Sequence, residues 1–196
     1  MLDELDKTDG KHTRDYTWLT EKFPKADVNS DAEFQRRFRN YWRLNYARLS
    51  DEFLRSYFSL PQTLKLKGAN EKGNKELVGE VARKLYDTPV NRKGQRKIEF
   101  SFASKLVHTL RPHAPIYDRN IKLFFLFRNP TGPKKFDMLL EAYEFLTREY
   151  ERILSMGILA SSIEQFRKRF DSHAFLDEKI IDSLIWSFVV IPNSQR

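Results

Sequence analysis

Apolar residues in this chain recur mostly at intervals of three, four and seven, which is the spacing of one buried face of an α-helix. The first strong run follows Asn29, Ser30 and Asp31, which offer a helix N-cap, and it predicts one long helix. Its apolar positions are Phe34, Phe38, Tyr41, Trp42, Leu49, Phe53 and Tyr57. We expect this helix to end before Pro61, because a proline disfavours the α conformation in the residue that precedes it.

The same spacing predicts six more helices. They lie at about 74–86, 102–110, 118–127, 136–154, 163–170 and 176–188. Strand alternation and hairpin signals are absent elsewhere. The predicted fold class is therefore all-α, with a single helical domain of six or seven helices over 31–196 behind an irregular N-terminal arm, 1–30.

Two of these helices are predicted to be buried to different extents. The helix at 102–110 is amphipathic, with one apolar face and one polar face toward solvent. Its predicted solvent face consists of Ser101, Ser104, Lys105, His108 and Arg111. The run from Ile121 to Phe127 is apolar on nearly every side, which is typical of a central buried helix, although composition alone also allows a buried strand.

Composition excludes several classes of protein. The 196 residues include no Cys, which removes disulfides, thiolate zinc sites and cysteine nucleophiles, and favours an intracellular, cytoplasmic protein. The polar N-terminus resembles neither a signal peptide nor a transit peptide. The longest apolar run is far shorter than a membrane span, so we expect no membrane association.

The positive charge is concentrated in one segment. The chain has 35 Lys+Arg against 27 Asp+Glu and a net charge of +8, and residues 65–97 hold ten basic and four acidic side chains. This segment ends in a basic loop, Thr88 to Lys97. It is either a solvated surface or the electrostatic footprint of a phosphate backbone. The residues predicted to bind nucleic acid are Arg36, Arg43, Arg92, Lys93, Arg96, Lys97, Ser101, Ser104, His108 and Arg111.

Other chemical motifs are missing. His108 and His113 are five residues apart across a proline and lack a third metal ligand in sequence, so no metal is expected. Phosphate-binding glycine loops and a serine-nucleophile elbow do not occur. We therefore expect no cofactor.

Lys105 and Asp118 are an ordinary helix lysine and an N-cap by their spacing alone, but their surroundings resemble a known family. The segments Ser101-Phe102-Ala103-Ser104-Lys105-Leu106-Val107-His108 and Ala114-Pro115-Ile116-Tyr117-Asp118 resemble a family of small bacterial proteins. That family is in turn similar to the helix-hairpin-helix DNA glycosylases of the 8-oxoguanine type.

The resemblance implies a glycosylase-like helical fold and a catalytic pair, with Lys105 as nucleophile and Asp118 as the helix-capping carboxylate. In such enzymes the lysine attacks the anomeric carbon of a damaged nucleoside, the base leaves, and a Schiff base permits strand cleavage. The carboxylate assists proton transfer, and the target base is flipped out of the duplex.

Three hypotheses about function follow. The first is a DNA-binding protein that resembles base-excision glycosylase/lyases and acts through Lys105. The second is a nucleic-acid-binding module without catalysis. The third is a protein-interaction component of a bacterial defence or toxin–antitoxin system, whose basic face meets an acidic protein partner.

Overall fold

Helix is the only regular secondary structure in residues 9–66, 71–172 and 175–194, the part of the chain that the computed structural model describes. These ranges contain nine α-helices and one 3₁₀ helix, Leu44–Ala47. The α-helices are α1 (Asp9–Lys22), α2 (Ala32–Tyr41), α3 (Asp51–Leu66), α4 (Asn74–Tyr86), α5 (Phe100–Leu110), α6 (Arg119–Phe124), α7 (Lys135–Ser155), α8 (Ala160–Phe170) and α9 (Asp177–Ser194). The all-α prediction is confirmed, with more helices than predicted.

Contacts group the chain into two compact units. Unit 1 comprises Met1–Arg14 and Arg111–Arg196, and unit 2 comprises Asp15–Leu110. Within unit 1, α9 contacts α6, α7 and α8, so the C-terminal helix is the centre of the packing. Within unit 2, α4 packs along α5 and also contacts α3. The predicted division into an N-terminal arm and a single domain stays a prediction.

Residues 9–22 form a helix where the sequence predicts an irregular arm over 1–30, and residues 1–8 of that arm lie outside the described residues. Tyr16 and Leu19 in α1, and Phe23 directly after it, are buried at intervals of three and four, which is helical spacing. Because this apolar stripe is short and most residues around it are charged or polar, the sequence pattern does not predict a helix here. The predicted irregular conformation was therefore wrong for residues 9–22.

The predicted long helix is interrupted between α2 and α3. Arg43 and Arg48 have φ of 57° and 50°, and these left-handed residues flank the 3₁₀ helix. The apolar spacing continues across the break, so periodicity alone does not reveal it. Ser50 then begins a new helix by accepting a hydrogen bond from the Phe53 amide at 3.0 Å.

Pro61 lies inside α3, so the prediction that the helix ends before it was wrong. Proline removes one helical hydrogen bond and crowds the preceding turn. The apolar residues Phe58, Leu60 and Leu64 around it are buried. Burial of this face stabilises the helix by more than the proline destabilises it.

Other local signals are confirmed. α4 has the bounds that its apolar spacing predicts. Asp31 caps α2 by accepting the Phe34 amide at 2.9 Å.

The apolar run that starts at Ile121 is mostly exposed, so the predicted central buried helix is wrong, as is the alternative of a buried strand. α6 has only six residues and, of the run to Phe127, buries Ile121 alone. Leu126 is 86% exposed and has φ of 55°. This left-handed residue ends the helical path, and the apolar side chains after Ile121 lie at the surface. We call Leu123, Phe124, Phe125, Leu126, Phe127, Phe145 and Phe188 the aromatic patch.

Candidate functional site

The basic loop, Thr88–Lys97, lies in unit 2 and is held by its own hydrogen bonds. The Asn91 side-chain oxygen accepts the amides of Lys93 at 3.0 Å and Gln95 at 3.3 Å. The Val90 amide donates to the Gln95 carbonyl at 2.7 Å. Asparagine commonly forms such turns because its side chain substitutes for a backbone acceptor.

The start of α3 attaches this loop to the rest of unit 2. The Ser50 amide donates to the Val90 carbonyl at 2.8 Å, and the Ser50 hydroxyl donates to the Pro89 carbonyl at 2.8 Å. Ser50 therefore caps a helix and fixes the loop at the same time.

Six of the residues predicted to bind nucleic acid are exposed in unit 2. Those in the loop are Arg92, Lys93, Arg96 and Lys97, and those at α2 are Arg36 and Arg43. Lys97 forms an ion pair with Glu99 at 2.9 Å. Exposed cations on a fixed backbone form a local positive potential that attracts phosphate.

α5, which carries the predicted nucleophile, is buried from Phe102 to Thr109. Ser104, Lys105 and His108 are therefore enclosed, and the prediction that they face solvent was wrong. Ser101 and Arg111, at the two ends, are half-buried. Their predicted contacts with nucleic acid stay predictions.

Internal partners for polar groups are the physical reason for this burial. The Ser104 hydroxyl donates to the Ser101 carbonyl at 3.0 Å. His108 Nε2 and the Tyr16 hydroxyl are hydrogen-bonded at 2.7 Å. Because such partners replace water, a polar helix face can be buried without a large desolvation cost.

The Lys105 amine is 3.3 Å from the backbone carbonyl of Trp42, to which it donates. It also lies 5.9 Å from the centre of the Phe102 ring. Trp42 caps the C-terminus of α2, where the last carbonyls lack helical partners. Lys105 thus has a structural role in addition to its predicted chemical one.

Aromatic rings surround this part of unit 2. The Trp42 and His108 rings meet edge-to-face at 5.9 Å, and Tyr16 lies 5.8 Å from His108 and 6.4 Å from Trp42. Sequence reasoning missed Tyr16 as a neighbour of α5. Tyr16 and His108 are 92 positions apart, and no local pattern encodes that pairing.

Asp118 lies in unit 1 and caps α6, as predicted. Its side chain accepts the amides of Asn120 at 2.9 Å and Ile121 at 3.1 Å. Burial is the main reason why the pKa of Tyr150 is well above its usual value, and the charges of Asp182 and Asp118 add to this effect. Since Lys105 belongs to unit 2, the pairing of Lys105 with Asp118 stays a prediction.

Unit 1 holds further polar contacts. Lys179 and Asp182 form a buried ion pair at 2.6 Å. His113 contacts Glu178 at 3.2 Å. Within the described ranges, no three His, Asp or Glu side chains are grouped to hold a metal ion. No helix in those ranges is long and apolar enough to cross a membrane.

Comparison with models of protein families, with curated proteins and with solved structures found no match for this chain. The resemblance to the glycosylases is therefore neither supported nor contradicted.

Proposed function

We propose that this chain binds DNA through its phosphate backbone, with the basic loop as the main contact. The supporting observation is that four exposed cationic side chains lie on a loop whose backbone is fixed by hydrogen bonds to Asn91 and Ser50. Each cation that contacts a phosphate releases condensed counterions, which makes binding favourable and sensitive to salt.

Anisotropy of a fluorescent DNA duplex, titrated with protein at several salt concentrations, tests this proposal. In the variant Lys93→Ala/Arg96→Ala, we expect the slope of log affinity against log salt to become shallower by about two, because each phosphate contact contributes about 0.9. The matched control is Lys25→Ala/Arg55→Ala, which removes the same charge from exposed positions elsewhere in unit 2. If the two double variants changed the slope equally, binding would depend on net charge and not on the basic loop. If the wild type did not bind the duplex, the proposal would be wrong.

A second candidate function is base excision with Lys105 as nucleophile. The observation that favours it is the buried amine of Lys105, which lies 3.3 Å from the Trp42 carbonyl and 5.9 Å from the centre of the Phe102 ring. Enzymes that use a lysine nucleophile keep the amine away from bulk water. The amine would have to leave the Trp42 carbonyl and attack C1′ of the nucleotide. The base would leave with the electrons of the glycosidic bond and take up the proton lost by the amine. Cleavage of the C1′–O4′ bond, with protonation of O4′, would then give the Schiff base, which permits β-elimination of the 3′ phosphate.

Borohydride trapping on duplexes with an abasic site or 8-oxoguanine tests this candidate, because borohydride reduces the Schiff base to a stable amine. Lys105→Arg is the informative variant, since its guanidinium still donates to the Trp42 carbonyl but cannot form the imine. We expect a covalent adduct with the wild type, none with Lys105→Arg, and an unchanged melting temperature. An adduct that persists in Lys105→Arg would exclude Lys105, and no adduct with the wild type would leave DNA binding as the proposed function.

A further inference from the structure

The aromatic patch of unit 1 is a continuous apolar layer. The Phe125 ring contacts Phe127 and Phe145 at 5.7 and 6.2 Å between ring centres. The Phe124 ring contacts Phe125 at 5.1 Å and Phe188 at 5.6 Å. Three parts of the fold, the segment that begins with α6 and the helices α7 and α9, therefore contribute to one patch. Such patches mark interaction sites in proteins that otherwise keep apolar side chains scattered on the surface.

Leu126 indicates that the patch has a role other than folding. Its side chain is 86% exposed, so it gains little from burial, and its φ of 55° is unfavourable for leucine. Asparagine or glycine would suit this backbone better. An exposed leucine in a strained conformation is consistent with contact to another molecule.

The charge of the segment that carries five of the seven patch residues indicates the kind of partner. Residues 119–135 contain five basic side chains and no acidic one. The basic residues are Arg119, Lys122, Arg128, Lys134 and Lys135. A second copy of this chain would bring like charges together at a symmetric interface, which is unfavourable. The complementary partner is apolar and acidic.

The packing of the rings favours a peptide over nucleic acid. Phe127 stacks with Tyr117 at 5.9 Å and 19°, and with Phe125 at 5.7 Å and 18°. Since neighbouring rings use these faces, they are not open platforms for bases. Ring edges and leucine side chains instead suit the apolar side chains of a protein segment.

Partial burial of the patch also favours a peptide over a lipid surface. Leu123, Phe124 and Phe145 are 49%, 40% and 47% exposed, so about half of each side chain is packed against the protein. Interfacial membrane binding requires apolar side chains that reach well into the headgroup and acyl region. We propose that the aromatic patch binds an acidic amphipathic segment of a partner protein, with Leu126 as an apolar contact and the neighbouring cations facing its carboxylates.

The experiment starts from a displayed library of random sixteen-residue peptides selected on the 196-residue chain. Enriched peptides are synthesised, and their affinities for wild type and variants are measured by fluorescence anisotropy. We expect enrichment of acidic peptides with apolar residues at helical spacing. Leu126→Asn should weaken their binding at least tenfold, whereas Ile158→Asn, which replaces an exposed apolar residue outside the patch, should leave it unchanged.

A charge-swap arm tests the electrostatic part of the proposal. Arg128→Glu/Lys134→Glu should lose the acidic peptides and bind versions in which Asp and Glu are replaced by Lys. Circular dichroism checks that each variant keeps its helical content. Enrichment of neutral or basic peptides, no enrichment at all, or binding that is insensitive to Leu126→Asn would overturn the proposal.

Three further measurements on the same proteins separate other occupants of the patch. They are binding to anionic phospholipid vesicles, binding to a single-stranded oligonucleotide, and molar mass as a function of concentration. If the library yields no acidic peptides and Leu126→Asn abolishes vesicle binding, oligonucleotide binding or self-association, the patch binds lipid, nucleic acid or a second copy of the chain, respectively. Each of these results refutes the peptide proposal. This outcome does not affect the basic loop, so it is distinguishable from failure of the proposed DNA binding.

Discussion

Two segments differ from the exposure to solvent that their apolar patterns predict, and each differs in the opposite direction. They are α5 and the run from Ile121 to Phe127, which are close together in sequence. α5 has a polar face and is enclosed, while the second run is almost entirely apolar and forms a surface patch. In unit 2, α4 packs along α5, and partners such as Tyr16 satisfy its polar groups. In unit 1, α9 packs against α6, yet of the second run only Ile121 is buried.

The comparison shows that an amphipathic pattern describes what a helix is able to bury, whereas neighbouring elements decide what it does bury. Polar side chains can be enclosed at low free-energy cost where hydrogen-bond partners exist. Apolar side chains stay exposed where no element covers them, and exposed apolar atoms are common on folded proteins. Clustering makes the aromatic patch unusual, because single exposed residues need no explanation.

The largest effect is expected from shortening one leucine in each segment. Leu106 in α5 is 1% exposed, and Leu106→Ala should lower the free energy of unfolding by about 2–5 kcal/mol. Leu123→Ala should change it by less than about 0.5 kcal/mol, because Leu123 is 49% exposed. Urea denaturation with a constant m-value measures both. Equal losses in the two variants would mean that the second run is as buried as α5.

The second-largest change in the free energy of unfolding is expected from the enclosed polar groups of α5. Tyr16→Phe removes the hydrogen bond to His108 and should lower the free energy of unfolding by about 1–2 kcal/mol. Tyr46→Phe is the control, because Tyr46 is 85% exposed and should be insensitive to the change. If Tyr16→Phe, like Tyr46→Phe, left the free energy of unfolding unchanged, hydrogen bonding would not explain why this polar face is enclosed.

A smaller, pH-dependent effect concerns α4, the helix that packs along α5. A hydrogen bond from Lys72 at 2.6 Å and the ion pair with Lys84 at 2.7 Å lower the pKa of Glu80 to about 2 from its usual 4.5. Because the folded-state pKa is the lower one, this stabilisation is present above about pH 4.5 and is lost as pH falls toward 2. Glu80→Gln should lower the free energy of unfolding at pH 7 by about 1 kcal/mol, allowing for solvent screening. Denaturation of both proteins from pH 7 to pH 2 should show this difference disappear, and a constant difference would contradict the assignment.

The smallest effect, and one of opposite sign, is expected at Leu126. Leu126→Asn removes a leucine from the left-handed region and should leave stability unchanged or raise it by up to about 1 kcal/mol. Leu123→Asn is the control within α6, where asparagine is a weaker helix former and should cost about 0.5 kcal/mol. Thermal unfolding measures both. A clear loss in Leu126→Asn would mean that its side chain is needed for folding.

Local signals in the sequence predict some elements of this fold. The bounds of α4 and the caps at Asp31 and Asp118 follow from spacing and capping chemistry within a few residues. The break around Arg43 does not follow from them, because the apolar spacing is the same on both sides. The helix through Pro61 depends on tertiary burial that a local rule omits.

The residues of the candidate site are harder to predict from the sequence than the helices are. The exposed cations of the basic loop are predictable, because Pro, Asn and Gly mark a loop and loops lie at the surface. The enclosure of Lys105 and His108 is not, since it involves contacts of Lys105 with Trp42 and of His108 with Tyr16, which are distant in sequence. Long-range pairing of polar groups has no periodic signature.

The attachment of the basic loop to Ser50 has a consequence for the entropy of binding. A loop already ordered by folding loses little conformational freedom when it meets a phosphate, so more of its interaction energy is available for affinity. Ser50→Ala would free one anchor of the loop without changing any charge. Affinity for DNA should then fall while the salt slope stays the same, so loop rigidity and loop charge make separate contributions to binding.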